Sequence, residues 1–181
     1  MLKVLVAIVV AVVAMTGIVA LIGSRLPVAH VASRSVVIGA PSDVVFTTMT
    51  DFASAPTWRS GLKSVSVASD AATGRQRVTE ESSNGTMTME VEQVVPPTRL
   101  VTRIVGEGLP YGGAWAHALE AQGNSTRVTI TEHGEVYNPI FRFISKYIMG
   151  HNGTLDTYLT DLGRKFGNDV TPADAAPVPL K

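Results

Sequence analysis

The sequence contains no cysteine, and neither sign of charge is in excess. Without cysteine the chain has no disulfides, no thiolate metal ligands, no cysteine nucleophile and no N-terminal lipoprotein anchor. Fifteen Lys and Arg residues balance fifteen Asp and Glu residues, and there is no basic run. Such a chain has no net field that gathers phosphates, so nucleic acid is not an expected partner. The 181 residues leave room for one domain with one core, plus a tail.

The longest uncharged stretch lies at the N-terminus, where the residues from Val4 to Ile22 are mostly Val, Ala, Ile and Leu. At about 1.5 Å per residue, a helix of this length nearly spans the roughly 30 Å hydrocarbon core of a bilayer. We therefore predict that residues 1–23 are a retained transmembrane anchor and that residues 24–30 are a linker. The alternative is a cleaved signal peptide, whose apolar stretch is normally about 7 to 15 residues and ends at a small-x-small site. Residues 21–27 offer no such site.

The charges beside the apolar stretch do not decide its orientation. Lys3 and the terminal amine lie on one flank, and Arg25 and Arg34 lie on the other. Because the head before the anchor is only Met1 and Leu2, we expect the larger C-terminal part to be translocated. The prediction is a single-pass membrane protein with an extracytoplasmic domain.

The rest of the chain predicts an α+β domain over residues 31–167. The β-prone residues 31–38 precede Ala40-Pro41-Ser42-Asp43, which places a proline in a first helical turn with an acid beside it. A short helix should follow, and residues 51–58 should form a second short helix or turn. From residue 62 to 135 the pattern has period two with turn signals at regular intervals, which is typical of an antiparallel meander.

Turn signals at residues 83–86, 95–98 and 122–125 set the register of this meander. The register gives one apolar face and one face of opposite charges, as expected for a sheet with one wet side. The predicted pairs are Val78–Val91, Glu80–Met89 and Arg77–Glu92 across the first turn, Met89–Ile104 and Glu90–Arg103 across the second, and Leu119–Val128, His117–Ile130 and Trp115–Glu132 across the third. The side chains predicted to be buried are Met87, Met89, Val91, Ile104, His117, Leu119, Val128 and Ile130.

After the meander, apolar residues recur at steps of three and four, which predicts one long amphipathic helix of roughly 28 residues. Asn138 is a good N-cap, and Pro139 is a good first helical residue. Gly150 and Gly153 each cost the helix about 1 kcal/mol relative to alanine, so its middle should be its weakest part. Residues 168–181 have no amphipathic period and are predicted to be a disordered tail.

This order of elements resembles the helix-grip fold of the START-like superfamily, also called SRPBCC, in its polyketide cyclase/dehydrase and lipid-transport group. The resemblance covers about residues 31–167 and is carried by residues 38–46, by 51–58 and by 134–139, which lead into the long helix. It implies a curved antiparallel sheet wrapped on the long helix, with a ligand cavity between them. Because members range from lipid carriers and hormone receptors to cyclases, the resemblance does not specify an activity.

Two histidines and a carboxylate are predicted to face this interior, namely His117 and Glu132 from the sheet and His151 from the helix. An imidazole beside a carboxylate can transfer protons near neutral pH. Each residue could instead be a hydrogen-bonded core or rim residue, and we favour this interpretation. No metal site and no cofactor are expected. Glu80 also falls on the apolar face, and because a buried unpaired carboxylate is costly, it should lie near an open sheet edge or pair with an unidentified base.

Aromatic and apolar side chains should complete the pocket. The predicted ligand-binding residues are Trp58, Met89, Tyr111, Trp115, His117, Ile148, His151, Leu155 and Tyr158. Three functions stay open: a membrane-anchored module that binds or carries a hydrophobic small molecule or lipid, a cyclase or dehydratase that uses His117 with Glu132, and a scaffold without a ligand. A cavity above about 300 Å³ would exclude the scaffold. A contact within about 3.2 Å between His117 and Glu132 would favour the enzyme.

Overall fold

The order of elements along the chain is the one that the sequence pattern predicts, with differences in the C-terminal third. The computed structural model describes residues 1–83 and 85–181. The helices are α1 (Leu2–Arg25), α2 (Ser42–Thr50), a 3₁₀ helix (Phe52–Thr57), α3 (Pro139–Ile144), a π-helical turn (Ser145–Met149) and α4 (Gly153–Lys165). The strands are β1 (Ala29–Ile38), β2 (Leu62–Ser69), β3 (Gln76–Ser82), β4 (Gly85–Val95), β5 (Arg99–Ile104), β6 (Tyr111–Gln122), β7 (Ser125–Val136) and β8 (Ala173–Asp174).

The strands form one antiparallel sheet in the order β2-β3-β4-β5-β6-β7-β1-β8. Strands β2 to β7 are the predicted meander, in which each strand pairs with its neighbour in sequence. Strand β1 returns to pair with β7 along its whole length, from Ala29 opposite Glu135 to Ile38 opposite Thr126. The inner face of the sheet packs on α2 and α4, and the core lies between them.

The predicted register is confirmed across the second and third turns and differs across the first. The first hairpin closes with Ser82 opposite Gly85, so its loop lies one residue earlier than predicted, and Asn84 of that loop lies outside the described residues. Each partner therefore shifts by two positions, which leaves every side chain on its predicted face. The observed pairs of the first hairpin are Val78–Met89, Glu80–Met87 and Arg77–Glu90.

The two faces of the meander have the predicted character. On the inner face Met89, Val91, His117, Leu119, Val128 and Ile130 are buried, and Met87 and Ile104 are half-buried. On the outer face Glu90 is also buried, because the arginines beside it cover its carboxylate. Arg75 Nη1 donates to Glu90 Oε1 at 2.8 Å, and Arg103 Nε donates to Glu92 Oε1 at 2.5 Å. The outer face therefore carries the predicted ladder of opposite charges.

The single long C-terminal helix is the clearest difference from the prediction. The helical segment is broken between Met149 and Gly153, where the sequence predicts its weakest point. Gly150 has φ of 73°, a left-handed conformation that residues with a side chain rarely adopt and that ends a helix. The predicted cap at the start is present, since the Asn138 side chain accepts hydrogen bonds from the backbone N–H groups of Ile140 and Phe141.

The break separates two segments that pack in different places. Helix α4 covers the sheet with Leu155, Leu159 and Leu162, all fully buried. Helix α3 instead packs against α1, where a Cβ on Gly23 would lie 1.8 Å from the carbonyl oxygen of Pro139. Ile148 is 70% exposed and does not face the sheet as predicted.

The C-terminal residues are ordered along the sheet, so the prediction of a disordered tail is wrong. Strand β8 pairs with β1, and Arg34 Nη1 donates to Asp174 Oδ1 at 2.6 Å. Further on, the backbone N–H of Val178 donates to Thr131 Oγ1, and His133 Nε2 donates to the Val178 carbonyl, both at 2.8 Å. Apart from the Asp174 carboxylate, these contacts use the backbone of the tail, which leaves no periodic signal in the sequence.

Helix α1 is continuous over 24 residues and is the one helix in the described part of the chain that is long and apolar enough to cross a membrane. A signal sequence near the N-terminus can meet the same criteria of length and composition, so this finding leaves both alternatives open. Strand β1 begins at Ala29, so the linker is shorter than the predicted residues 24–30.

Candidate functional site

A cavity lies between the inner face of the sheet, the 3₁₀ helix and α4. Its walls are mostly apolar, and its volume is about 80 Å³. Six of the nine predicted ligand-binding residues line it, namely Trp58, Met89, Trp115, His117, Leu155 and Tyr158. Period-two alternation brings the sheet residues to one face, and the helical stripe brings the α4 residues opposite them.

The cavity is smaller than the pockets of about 300 Å³ or more that enclose drug-sized ligands, so its size alone does not exclude a scaffold. Three methionines line the cavity, namely Met49 from α2 and Met87 and Met89 from β4. Methionine is unbranched and fills irregular gaps with several rotamers. The cavity can therefore enlarge by side-chain rotation without a change in the backbone.

A buried ion pair provides the charged part of the cavity wall. Glu80 is only 5% exposed, and both of its carboxylate oxygens accept from Arg59, Oε1 from Nη1 and Oε2 from Nη2 at 3.1 Å. Arg59 is the base that the sequence left unidentified. Burial by itself would lower the pKa of the Arg59 guanidinium, but the hydrogen bonds and charge of Glu80 outweigh it and hold this pKa above its ordinary value.

Tyr158 and His117 add polar but uncharged groups. Burial raises the pKa of Tyr158 to about 12, against the opposing charge of Arg59, whose guanidinium carbon lies 5.1 Å from the ring centroid. Burial also lowers the pKa of His117 to about 4. At neutral pH the phenol is therefore protonated and the imidazole is neutral. Because a carbonyl only accepts, His117 Nδ1 donates to the Leu100 oxygen at 3.3 Å, which leaves Nε2 as an acceptor.

The Trp58 indole supplies a hydrogen-bond donor without a partner. Its Nε1 atom is buried and has no hydrogen-bond partner among the described residues. The Trp58 ring packs edge-on against Tyr158, with centroids 5.5 Å apart. Because buried donors are normally satisfied, this N–H is suited to an acceptor atom of a molecule in the cavity.

The predicted acid–base pair of His117 and Glu132 is not formed. Glu132 Oε1 hydrogen-bonds His30 Nε2 at 2.9 Å, and Glu132 Oε2 accepts from Trp115 Nε1 at 3.0 Å. The reason is the return of β1 to β7, which places Ala32 opposite Glu132 and His30 diagonally beside it. Sequence reasoning missed His30 because nothing in the local pattern of β1 indicates its partner strand.

The other three predicted ligand-binding residues lie away from the cavity. His151 stacks on His30, with ring centroids 3.8 Å apart, and its Nδ1 lies 3.2 Å from Ser145 Oγ. Burial, and then the charge of His30, lower the pKa of His151. Tyr111 is exposed at the start of β6, and Ile148 is exposed on the π turn. The predictions for His151 and Ile148 assumed an unbroken helix, whereas the helical segment is broken between Met149 and Gly153. No cluster of three or more metal-ligating side chains occurs in residues 1–83 and 85–181.

A curved antiparallel sheet that packs on a C-terminal helix, with a cavity between them, defines a helix-grip domain of the START type. The chain belongs to the polyketide cyclase / dehydrase and lipid transport family, whose model matches residues 29–159. The match begins at the first residue of β1 and ends inside α4. It leaves out α1 and the C-terminal tail.

Solved structures share this fold at low sequence identity. A conserved protein from Geobacillus kaustophilus has a TM-score of 0.63 at 15% identity, over 79% of this chain and 99% of that chain. A START superfamily protein from Mycobacterium smegmatis has a TM-score of 0.60 at 15% identity, over 76% and 97%. Norcoclaurine synthase from Thalictrum flavum has a TM-score of 0.60 at 11% identity, over 76% and 93%. Such identities show the fold alone. Comparison with curated proteins found no match.

Proposed function

We propose that this protein is a membrane-anchored START-like domain that binds or carries a hydrophobic small molecule or lipid in its internal cavity. The observation that carries the proposal is the apolar wall of the cavity, interrupted by a few polar groups. Small-molecule sites have this composition, in which apolar surface gives affinity and a few polar groups fix orientation. The lipid-transport description of the family is consistent with such a ligand.

The polar groups indicate an uncharged ligand. Arg59 and Glu80 neutralise each other, and His117 and Tyr158 are neutral at pH 7. A charged ligand would lie unpaired in a poorly solvated site, which is costly. The unpartnered Trp58 N–H favours a ligand with a hydrogen-bond acceptor, such as a carbonyl or hydroxyl oxygen, on an otherwise apolar body.

The anchor would keep the domain beside a reservoir of apolar ligands. The whole apolar part of α1 is exposed on the protein, as expected for a helix that faces lipid. We also propose that the folded domain lies on the extracytoplasmic side. The cyclase or dehydratase alternative has no specific observation in its favour, since the pair on which it depended has other partners.

Native mass spectrometry of the full-length protein, extracted from membranes in mild detergent, tests the proposal. We expect a bound apolar molecule that is absent from an Ala55→Leu variant, because Ala55 lines the cavity and leucine adds three carbon atoms to it. Ala121→Leu is the matched control, since Ala121 is exposed at the far end of β6. Wild-type protein without any adduct, or equal adduct in the Ala55→Leu variant at unchanged melting temperature, would contradict a cavity ligand.

A further inference from the structure

A second pocket lies where α1 joins the folded domain. Its volume is about 260 Å³, and it is enclosed by linker residues 26–29 on one side and by α3 and the π turn on the other. None of the described residues that line it is Asp or Glu. Its polar side chains are His30, Arg142, Ser145, Lys146 and His151.

Arg142 is a half-buried cation that has no counterion among the residues that the structure describes. Its guanidinium donates only to backbone, from Nη1 to the Leu26 carbonyl at 2.8 Å and from Nη2 to the Tyr137 carbonyl at 3.3 Å. Its Nε–H is buried and has no hydrogen-bond partner among the described residues. Charges that are partly removed from water are normally paired. This pocket therefore holds an uncompensated positive charge and a free donor.

Lys146 lines the same pocket one turn further along the chain. No carboxylate of residues 1–83 and 85–181 lies within ion-pair distance of its Nζ, which is 5.8 Å from the Tyr147 ring centroid. The nearby carboxylate of Glu132 is occupied by His30 and by Trp115. Two unpaired cations thus face a pocket whose remaining polar groups are neutral or already bonded.

The pocket lies beside α1 and a group of exposed apolar side chains. Helix α3 lies against the C-terminal end of α1, with Gly23 in contact with Pro139. The apolar side chains beside the pocket are exposed, namely Phe141, Tyr147, Ile148 and Met149, at 50%, 58%, 70% and 75%. They continue the exposed apolar surface of α1. With α1 in a bilayer, this segment lies at the lipid interface and the pocket lies at the level of the headgroups.

We propose that this pocket binds the phosphate headgroup of an anionic membrane phospholipid. The Lys146 ammonium contacts the phosphate, the positive charge of Arg142 attracts it, and the exposed apolar side chains of α3 and the π turn contact the acyl chains. The inference rests on the membrane anchor of the proposed function, but it does not depend on a ligand in the cavity.

The test is lipid retention by the full-length protein in neutral detergent, measured by native mass spectrometry with phosphatidylglycerol and phosphatidylcholine of identical acyl chains. We expect phosphatidylglycerol to be retained in preference to phosphatidylcholine. Each of Arg142→Gln and Lys146→Gln should weaken its retention by about tenfold, since each removes one positive charge. The matched controls are Arg127→Gln and Lys63→Gln, which remove the same charges from strand positions that do not line the pocket.

Several results would overturn the inference. These are equal retention of the two lipids, an equal loss in the control variants, or displacement of the lipid by inorganic phosphate at matched concentration, which would indicate a free-phosphate site. If Arg142→Gln does not fold, Lys146→Gln alone carries the test, because Lys146 is exposed. The same spectra report any cavity adduct. If the wild-type protein carries no cavity adduct but still prefers phosphatidylglycerol to phosphatidylcholine, only the proposed function is contradicted.

Discussion

Removing the partner of Glu80 is the sharpest perturbation that this structure offers. In an Arg59→Met variant the methionine occupies much of the former side-chain volume, but the carboxylate of Glu80, 5% exposed, has lost both of its hydrogen bonds from the guanidinium. Breaking a buried ion pair from one side costs about 3–5 kcal/mol. Because the Arg59 side chain is 23% exposed and water can partly replace it, we expect a loss near the lower end, about 3 kcal/mol.

The assay is chemical unfolding of the detergent-solubilised chain followed by tryptophan fluorescence. Both tryptophans, Trp58 and Trp115, line the cavity, so their emission reports on this part of the fold. An Arg59→Met/Glu80→Met double variant should recover most of the stability, since no charge is then left unpaired.

An exposed ion pair provides the matched control. Arg103 and Glu92 are joined at 2.5 Å on the outer face, with side chains 40% and 27% exposed. Arg103→Met should therefore cost less than about 1 kcal/mol. The reasoning is refuted if Arg59→Met is no more destabilising than this control, or if the double variant is as unstable as the single one.

Three further predictions follow from single features of the structure. Burial lowers the folded-state pKa of His117 to about 4, below its ordinary 6.5. About 3 kcal/mol of stability should therefore be lost as the pH falls from 6.5 towards 4, and unfolding curves of His117→Gln should lack this pH dependence. Gly150→Ala should destabilise by about 1 kcal/mol because φ is 73°, whereas Gly153→Ala, at the start of α4 with open space around it, should not lower the melting temperature. Deleting residues 172–181 should cost about 1–3 kcal/mol and speed amide exchange in β1, since the backbone bonds to β8 are lost; unchanged exchange there would count against an ordered tail.

Local patterns in the sequence determine much of this protein. Alternation and turn residues predict the six-strand meander and the burial of its inner face, and Asn138 and Pro139 mark the start of the C-terminal helical segment. The error at the first hairpin was small, since a turn placed one residue away moves every pair by two and keeps each side chain on its face. Such features depend on residues that are close in sequence, so they can be predicted from a single segment of the chain.

Only the tertiary structure decided which elements cover one another. Periodicity shows that one side of a segment is buried, but it does not identify the element that packs against that side. Pairing of β1 with β7 brings His30 to Glu132, and the connection after the 3₁₀ helix brings Arg59 to Glu80. Both pairs join residues far apart in sequence or on different elements, and neither has a local signal.

The C-terminal third shows the same limit most clearly. The apolar stripe that predicts one long helix is also compatible with a broken helix, because α3 packs against α1 while α4 covers the sheet. Gly150 permits the turn, and Gly23 permits the close contact of the two helices, but each glycine alone indicates only flexibility. The free energy of the assembled fold decides which apolar surface a stripe covers. Here His151 lies in the pocket beside α1 and Ile148 lies on the surface, instead of in the expected cavity.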